Sequence, residues 1–555
     1  MSNKFLTAWQ RFIGLLKLDR RDILQVFYYA IFAGIVSLTL PLGIQAIINL
    51  IQGAQISTSW ILLVVLVTLG VAFAGALQVT QMRIIENIQQ KIFTRSSFEF
   101  TYRFPKIKMS ELRNQYPPEL ANRFFDTLTI QKGLSKILID FPAALLQILF
   151  GLILLSFYHP FFIIYGILLL VLICIVFRFT AQKGLETSLN ESKYKYKVAH
   201  WIQEVARAIV SFKLSGKTNL ALEKNDTLVE EYLNYRESHF KVLVIQFIQM
   251  IGFKVLVTGG LLLIGGILVI NQQMNIGQFV AAEIIILIVI SSVEKLILGF
   301  ESFYDVLTSL EKLGQVVDKD LEPQDGYKPS LEEINIELNN ISYRVAERDK
   351  PILRNINLNI KHKDTVIING SSGSGKTSLL KLIAGVIEPT EGNVFINEVK
   401  LKTIHLNHYR GYVGQTLAED TPFEGSILDN ITFGDKSISD EDIKWAIDNT
   451  GLREFVKEQP NGMKTILHPE GKQISFSIAK KIVLARSIVN KPKLLILKEP
   501  LEHFDSDKAL KIMKFLTHKD RPWTLVVVSQ NKSWIKNCSK IYTVENGELK
   551  GNKDA

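Results

Sequence analysis

The sequence predicts an all-α transmembrane domain of six helices with long cytoplasmic helix extensions, followed by an α/β domain. The first observation is that 47% of the 555 residues are hydrophobic and that long charge-free blocks occupy the first half. The second is that strand-like and helix-like segments alternate beyond residue 333, which is typical of an α/β domain. A chain of this length also exceeds a single hydrophobic core, so at least two domains are expected.

Three apolar blocks account for the six predicted spans, because each is broken once by a short polar segment. The blocks are 23–82, 141–177 and about 242–300, and the breaks are 51–59, 158–161 and 271–278. About 20 residues are needed for each span. The second block is short for two spans, so its helices are expected to continue past charged residues at their cytoplasmic ends.

The loops predict the orientation of the spans. The three short breaks contain no Lys, Arg, Asp or Glu, whereas the long segments 83–140 and 178–241 are rich in both signs of charge. By the positive-inside rule, these long segments and both termini are cytoplasmic, in a multi-pass protein of the cell (inner) membrane. The net charge of +10 is therefore explained mainly by Lys and Arg residues on the cytoplasmic side of the spans. No nucleic-acid partner is expected, because no aromatic-basic motif occurs.

The cytoplasmic segments have helical periodicity. Residues 78–104 and 197–216 carry apolar residues at three- and four-residue spacing, with breaks near 116–118 and at 215–216. Residues 1–22 lack the features of a secretory signal and are expected to form an elbow helix on the membrane surface. The predicted domains are then this elbow helix (1–22), a six-span transmembrane domain (23–317), a linker (318–333) and an α/β domain (334–555).

Two ionisable residues of the third apolar block need comment. Glu283 lies in the sixth predicted span and is a functional candidate by default, although we interpret it as keeping a watery cavity polar. Lys254 begins the fifth span, where a long side chain can reach the membrane interface, and we assign it no role.

A phosphate-binding loop opens the α/β domain. The buried strand "DTVIING" runs directly into "GSSGSGKTSLLKLIAG", which matches G-x-x-x-x-G-K-[ST]. Glycine backbone amides can close around phosphates, Lys376 can reach the terminal phosphates, and the Thr377 hydroxyl can ligate Mg²⁺. The loop residues are Gly370, Ser371, Ser372, Gly373, Ser374, Gly375, Lys376, Thr377 and Ser378.

The order of six spans, linker and phosphate loop resembles a half-transporter of the ATP-binding cassette (ABC) exporters. Further similar segments are "PILRNINLNI", "YVGQTLAEDTPFEGSILDNITFG", "ARSIVNKPKLLIL", "YPPELANRF" and "WIQEVARAIVSFK", the last two resembling the peptide- and protein-secreting branch. The resemblance implies two nucleotide-binding domains that sandwich ATP head to tail and drive the membrane halves between inward- and outward-facing states.

The resemblance also implies roles for single residues. Gln415 matches the glutamine that senses the γ-phosphate and ligates the metal together with Thr377. Glu499 matches the carboxylate that polarises the attacking water, and Asp505 matches the aspartate that crosses the dimer interface.

Three single residues and one loop depart from the family pattern. Val345 stands where the family stacks an aromatic on adenine, with Tyr343 two positions earlier. Lys498 replaces the magnesium-supporting aspartate, and Gln530 replaces the histidine that contacts the γ-phosphate. The signature loop, L-S-G-G-Q in the family, consists here of Ile474, Ser475, Phe476, Ser477 and Ile478.

These departures predict that ATP binds but is split slowly or not at all. A lysine at the metal site repels Mg²⁺ and offers no ligand, and Phe476 adds bulk where the opposing phosphate must approach. An ordinary ATPase with tolerated substitutions is the alternative. A further hypothesis is that the Lys498 ammonium supplies part of the missing magnesium charge.

Two functional interpretations remain at this point. In the first, the chain is one half of a homodimeric or heterodimeric exporter of a peptide or protein, working with a periplasmic adaptor; lipid or drug export is a variant of it. No peptidase domain precedes the first span, so cargo processing by the same chain is not expected. In the second, the chain is a membrane scaffold or regulatory subunit that transports nothing.

Overall fold

The computed structural model describes residues 7–52, 58–417 and 419–554, and the side chains of these residues except 172–182 and 551–554. The chain divides into two compact units. The first comprises Met1–Ile107 and Glu111–Asp320, and the second comprises Lys108–Ser110 and Leu321–Ala555.

Helices make up the first unit, which confirms the prediction of an all-α domain. In chain order they are α1 (Ala8–Leu18), α2 (Arg20–Ser37), α3 (Thr39–Ile51), α4 (Thr58–Arg103), α5 (Met109–Leu112), α6 (Pro117–Ala121), α7 (Asp126–Ser156), α8 (Phe161–Arg207), α9 (Ile209–Ser215), α10 (Leu220–Ile270) and α11 (Ile276–Val317).

Five stretches of helix within the described residues are long and apolar enough to cross a membrane. They are Arg20–Ile51, Thr58–Lys106, Pro117–Ser156, Leu220–Ile270 and Ile276–Val317. The fourth predicted span lies on α8, whose described apolar part is Phe161–Val171 and whose next side chains, 172–182, lie outside the description. The predicted break at 51–59 also falls largely outside the described residues, since 53–57 are not described.

The long helices agree with the predicted extensions. Helices α4, α8 and α10 contain 46, 47 and 51 residues. At about 1.5 Å per residue each is about 70 Å long or more, which is over twice the thickness of a bilayer's hydrocarbon core. The break predicted at Gly216 is present, since α9 ends there with a positive φ of 58°.

A break within the first span was not predicted. Helix α2 ends at Ser37 and α3 begins at Thr39, two residues before Pro41. In a continuous helix the ring of Pro41 would clash with the carbonyl of Ser37, four residues earlier. The Ser37 hydroxyl donates to the Gly34 carbonyl at 2.7 Å, and the Thr39 hydroxyl donates to the Val36 carbonyl at 2.7 Å. These hydroxyls donate hydrogen bonds to backbone oxygens at the break, which lipid tails could not provide.

The N-terminal helix is tied to the end of α11. The Arg11 guanidinium forms ion pairs with both Glu311 and Asp318. Gly314 permits this approach, because a Cβ atom at that position would lie 2.4 Å from the Arg11 guanidinium carbon. Phe12 of α1 also packs edge-on against Phe303 of α11, with ring centroids 5.3 Å apart.

Lys254 has a partner that the sequence did not predict. Its ammonium lies 2.6 Å from a carboxylate oxygen of Glu294, so the pair links α10 to α11. About a third of each side chain is exposed. Lys254 is therefore neutralised by a neighbouring helix and does not need to reach the membrane interface.

Strands and helices alternate in the second unit, which confirms the α/β prediction. The strands are β1 (Ile336–Tyr343), β2 (Leu353–Ile360), β3 (Thr365–Asn369), β4 (Glu391–Ile396), β5 (Val399–Lys400), β6 (Val413–Thr416), β7 (Gly425–Ser426), β8 (Ile466–Leu467), β9 (Leu494–Lys498), β10 (Thr524–Val528), β11 (Lys540–Glu545) and β12 (Glu548–Asp554). The helices are α12 (Lys376–Ile383), α13 (Leu406–Arg410), α14 (Ile427–Thr432), α15 (Asp440–Thr450), α16 (Arg453–Glu458), α17 (Phe476–Ile488) and α18 (Ser506–Thr517).

A six-stranded sheet organises this unit, in the order β12-β11-β3-β10-β9-β6. All neighbours except β11 and β12 are parallel. The interior strands β9 and β10 are almost wholly buried, as expected for continuous apolar runs. A four-stranded antiparallel sheet, β2-β1-β4-β5, packs beside it in the same hydrophobic core.

Candidate nucleotide-binding site

Strand register brings the predicted site residues to one edge of the six-stranded sheet. Val528 is aligned with Ile368 on one side and with Lys498 on the other. The carboxyl ends of β3, β10 and β9 therefore lie level, and the phosphate loop, Gln530 and Glu499 follow them. In open α/β sheets this edge is where ligands bind.

Glycine is required at both ends of the phosphate loop. Gly370 has a φ of 144°, and a Cβ there would lie 2.2 Å from the Val544 carbonyl oxygen. Gly375 has a φ of 105°, and a Cβ there would lie 2.8 Å from the Ile352 carbonyl oxygen. The loop ends at the first turn of α12, where free backbone amides favour a phosphate.

Lys376 turns back onto its own loop. Its ammonium donates to the carbonyls of Gly370 at 2.7 Å and Ser371 at 2.6 Å. Burial lowers the pKa of this ammonium, the nearby Glu499 carboxylate opposes that shift, and the nearby Lys498 ammonium adds to it. Phosphate binding therefore exchanges two carbonyl contacts for contacts with a stronger acceptor.

Glu499 is held by the segment that follows β10. Its φ is 44°, and its backbone amide donates to the Val528 carbonyl at 2.8 Å. One carboxylate oxygen accepts from the Ser529 hydroxyl at 2.7 Å, and the other accepts from the Gln530 amide at 2.8 Å. Both oxygens are therefore engaged by protein donors.

Lys498 ends β9 with a partly buried side chain. Among the residues that the structure describes, none forms an ion pair with it. Its charge is felt by Lys376 and also by the buried Lys480 of α17, whose pKa is lowered by burial and, to a smaller extent, by Lys498. The Lys480 ammonium contacts the Asp420 carbonyl oxygen at 3.4 Å.

The signature loop caps α17. The Ser475 hydroxyl accepts from the Ile478 amide at 3.4 Å and lies 3.2 Å from the Ser477 hydroxyl. Phe476, the first residue of α17, is 50% exposed, and its ring meets the His503 ring edge-on at 5.1 Å. Ile474 is partly buried against the core. A bulky aromatic group thus stands at the helix N-terminus, where the family pattern has glycine.

The remaining predicted site residues are spread around this edge. Gln415 is exposed on β6. Asp505 precedes α18, is largely exposed, and pairs with Lys508 at 2.8 Å. Val345 is 8% exposed and Tyr343 packs partly buried against the core, so neither forms an exposed platform for adenine.

Sequence reasoning missed Ser529, Lys480 and His503. Ser529 is a buried polar residue directly after the apolar run of β10, which is the position from which such strands deliver functional groups. The position of Ser529 after the strand could therefore have identified it from the sequence. No sequence feature identifies His503, because its contact with Phe476 depends on a loop conformation in which His503 has a φ of 66°.

The donor set does not fit a magnesium ion of the family type. Thr377 and Gln415 offer neutral oxygens, Lys498 offers a cation, and both Glu499 oxygens accept from protein donors. Across the described residues no group of three or more His, Cys, Asp or Glu could hold a metal ion. Mg²⁺ is usually held by one or two carboxylates together with phosphate oxygens.

Comparisons with known proteins agree with this architecture. The family described as ABC transporter transmembrane region matches residues 23–293, and the ABC transporter family matches residues 353–502. In structure, the chain is similar to a bacterial Atm1-family ABC exporter with ATP bound, with a TM-score of 0.84 over 96% of this chain and 95% of that one. The two are 14% identical, so this likeness shows the fold alone.

Curated relatives include secretion proteins. The alpha-hemolysin translocation ATP-binding protein HlyB of Escherichia coli is 32% identical over 58% of this chain and 46% of its own length. The leukotoxin translocation ATP-binding protein LktB of Mannheimia haemolytica is 30% identical over 62% of this chain and 49% of its own length. The chain thus spans about half the length of the curated relatives it matches.

The two family matches occur in the order membrane region then nucleotide-binding domain, and together they cover about three quarters of the chain. A half-transporter has this order, with one membrane region and one ATP-binding domain in a single polypeptide. The chain therefore combines an ABC transporter transmembrane region with an ABC transporter domain in one polypeptide, in the fold of an ABC exporter.

Proposed function

We propose that this chain is one half of a dimeric exporter that binds ATP but hydrolyses it slowly or not at all. The single observation that carries the proposal is Lys498, a cation at the end of β9 where the reaction needs an acidic metal site. Phosphoryl transfer depends on positioning and on neutralising charge, and the metal supplies much of that neutralisation.

Two further contacts support slow hydrolysis. Glu499, the expected base, has both carboxylate oxygens engaged by Ser529 and Gln530. Phe476 covers the N-terminus of α17, from which backbone amides would reach an opposing γ-phosphate. In a homodimer both composite sites carry all of these defects. With an intact partner, one site keeps Lys498 and the other still faces Phe476.

The proposed cargo is a peptide or protein, passed to a periplasmic adaptor from the inner membrane, with both termini and the nucleotide-binding domain in the cytoplasm. The support is the likeness to HlyB and LktB, whose names describe translocation of hemolysin and leukotoxin. The absence of charged residues from the three predicted extracytoplasmic breaks supports the orientation.

Steady-state ATP turnover tests the proposal on the full-length protein in nanodiscs. We expect turnover at least about a hundredfold below the enzyme median of about 10 per second. Glu499→Gln is the control and should leave the residual rate unchanged within about twofold, since Glu499 is not acting as an effective base. Turnover near the median that is abolished by Glu499→Gln would contradict the proposal.

A second measurement separates an exporter from a non-transporting regulatory subunit. Spin labels on the cytoplasmic ends of α4 and α10 should report distance changes within the dimer when ATP is added, if ATP binding drives the membrane halves. Unchanged distances at saturating ATP would favour the regulatory interpretation and would leave the family matches intact.

A further inference from the structure

We infer that this nucleotide site uses the Lys498 ammonium in place of a divalent metal, and therefore binds nucleoside triphosphates without magnesium. The inference rests on the proposed function, because it takes the phosphate loop to be a working ATP site. It adds the chemical form of the ligand: metal-free nucleotide rather than its magnesium complex.

The first argument is the position of Lys498. The register of β9, β10 and β3 puts this residue at the same sheet edge as the phosphate loop. Lys376, the phosphate-binding lysine of the loop, follows β3 at this edge, and the charge of Lys498 acts on it. A lysine ammonium is a compact point charge that suits phosphate oxygens, and it needs no coordination geometry.

The second argument is that Lys498 stands where the family has the aspartate that supports Mg²⁺. A bound Mg²⁺ would have to share the sheet edge with Lys498, and both oxygens of the adjacent Glu499 carboxylate already accept hydrogen bonds from Ser529 and Gln530. Like charges at close range disfavour a second cation. A triphosphate without its metal carries more negative charge, so it gains more from two lysines than the magnesium complex does.

The third argument is that Lys498 forms no ion pair with any residue that the structure describes. The neighbouring Lys480 is 4% exposed, and its ammonium lies 3.4 Å from the Asp420 carbonyl oxygen. Lys376 likewise donates to carbonyls. Neutral acceptors compensate these ammonium groups only partly, and an anionic ligand completes the compensation.

Nucleotide titration of the full-length protein, with a fluorescent ATP analogue, tests the inference. In the wild type the dissociation constant in EDTA should lie within about threefold of that in excess Mg²⁺. In Lys498→Asp the EDTA value should rise at least about tenfold, because a cation is replaced by an anion beside the phosphates. Excess Mg²⁺ should restore binding to this variant, since the family-type carboxylate is then present.

Two variants keep the result interpretable. Lys436→Asp makes the same change of charge on an exposed turn of the same domain and should leave both titrations unchanged. Lys498→Gln removes the ammonium with little change of volume and should weaken binding in EDTA even if the aspartate variant does not fold. Equal binding by Lys498→Gln and wild type in EDTA would overturn the inference.

The outcomes for the wild type separate this inference from the proposed function. Binding only in the presence of Mg²⁺ overturns the metal-free site and leaves a slowly hydrolysing ATP-binding exporter in place. Absence of binding in both conditions overturns the ATP-binding part of the proposed function, and the inference with it.

Discussion

The Ser529 hydroxyl donates a hydrogen bond of 2.7 Å to a carboxylate oxygen of Glu499, joining the residues that follow two adjacent core strands. Ser529 is 5% exposed, and its oxygen also accepts from the Asn531 amide at 3.2 Å. The expected base and the segment after β10 are therefore one hydrogen-bonded group, and Glu499 cannot turn toward a nucleotide without breaking it.

Ser529→Ala should lower the stability of the nucleotide-binding domain. The change removes both hydrogen bonds and leaves a carboxylate oxygen of the partly buried Glu499 with one donor fewer, at a cost of about 1–3 kcal/mol. Thermal unfolding of the purified protein should show a melting temperature lower by about 2–4 °C for each kcal/mol. Ser506→Ala, at an exposed serine, is the matched control. Equal melting temperatures for the two variants would contradict the structural role of Ser529.

Restoring acidic and basic groups at the site should raise ATP turnover. We expect Lys498→Asp combined with Gln530→His to increase the rate at least tenfold, which corresponds to about 1.4 kcal/mol of barrier. Adding Phe476→Gly should increase it again in a homodimer, because that residue faces the other half's phosphate. The measurement is steady-state phosphate release in excess Mg²⁺.

Glu499→Gln in the restored protein is the control for that gain and should abolish it. A rate that stays at the wild-type value in the triple variant would show that these positions do not limit hydrolysis.

The membrane domain contains a testable ion pair. Lys254→Met alone should destabilise the protein by about 1–2 kcal/mol, because it leaves Glu294 charged and unpaired inside an apolar helix bundle, although partial exposure moderates the cost. The double variant Lys254→Met with Glu294→Gln should recover most of that loss. Thermal stability in detergent, compared around the full double-mutant cycle, gives the coupling energy. Additive effects would mean that the two side chains do not interact.

Cys538 should be chemically inert in the folded protein. Burial raises the pKa of its thiol to about 12. Because an unfolded thiol ionises near pH 8.5, alkylation by iodoacetamide at pH 9 should be at least about a hundredfold slower in the folded chain than in urea. A Cys174→Ala background leaves one thiol to follow by mass spectrometry.

The same shift gives a stability prediction with a defined sign. Ionisation of Cys538 favours the unfolded chain, so its contribution to stability is full below about pH 8.5 and is lost as the pH rises toward 12. Wild type should therefore lose stability relative to Cys538→Ala between pH 8 and pH 10. An identical pH dependence in both proteins would contradict burial of the thiol.

Much of the fold followed from local patterns. Charge-free blocks gave the membrane helices, and the run from "DTVIING" into the glycine loop gave the strand-loop-helix unit around Lys376, because periodicity and turn chemistry are encoded in neighbouring residues. The break at Leu38 could have been anticipated from Pro41, since a proline restricts the preceding turn.

The contacts between distant residues could not be predicted in this way. Lys254 pairs with Glu294 across two helices, and Glu499 is held by Ser529 from the next strand. Val345 lies in the expected adenine region, yet it is buried, and only the folded loop reveals that. Side-chain partners that depend on tertiary packing leave no periodic trace in one sequence.

The ion pairs of Arg11 couple the N-terminal helix α1 to any movement of α11. Two charge-assisted contacts, to Glu311 and Asp318, join α1 to the last turns of the helix that leads out of the membrane domain. If that end of α11 shifts, α1 must slide or tilt with it, or both contacts are lost. If α1 lies on the membrane surface, as the sequence predicts, the same movement would displace lipid headgroups, and the composition of the bilayer would then affect how easily this end of α11 moves.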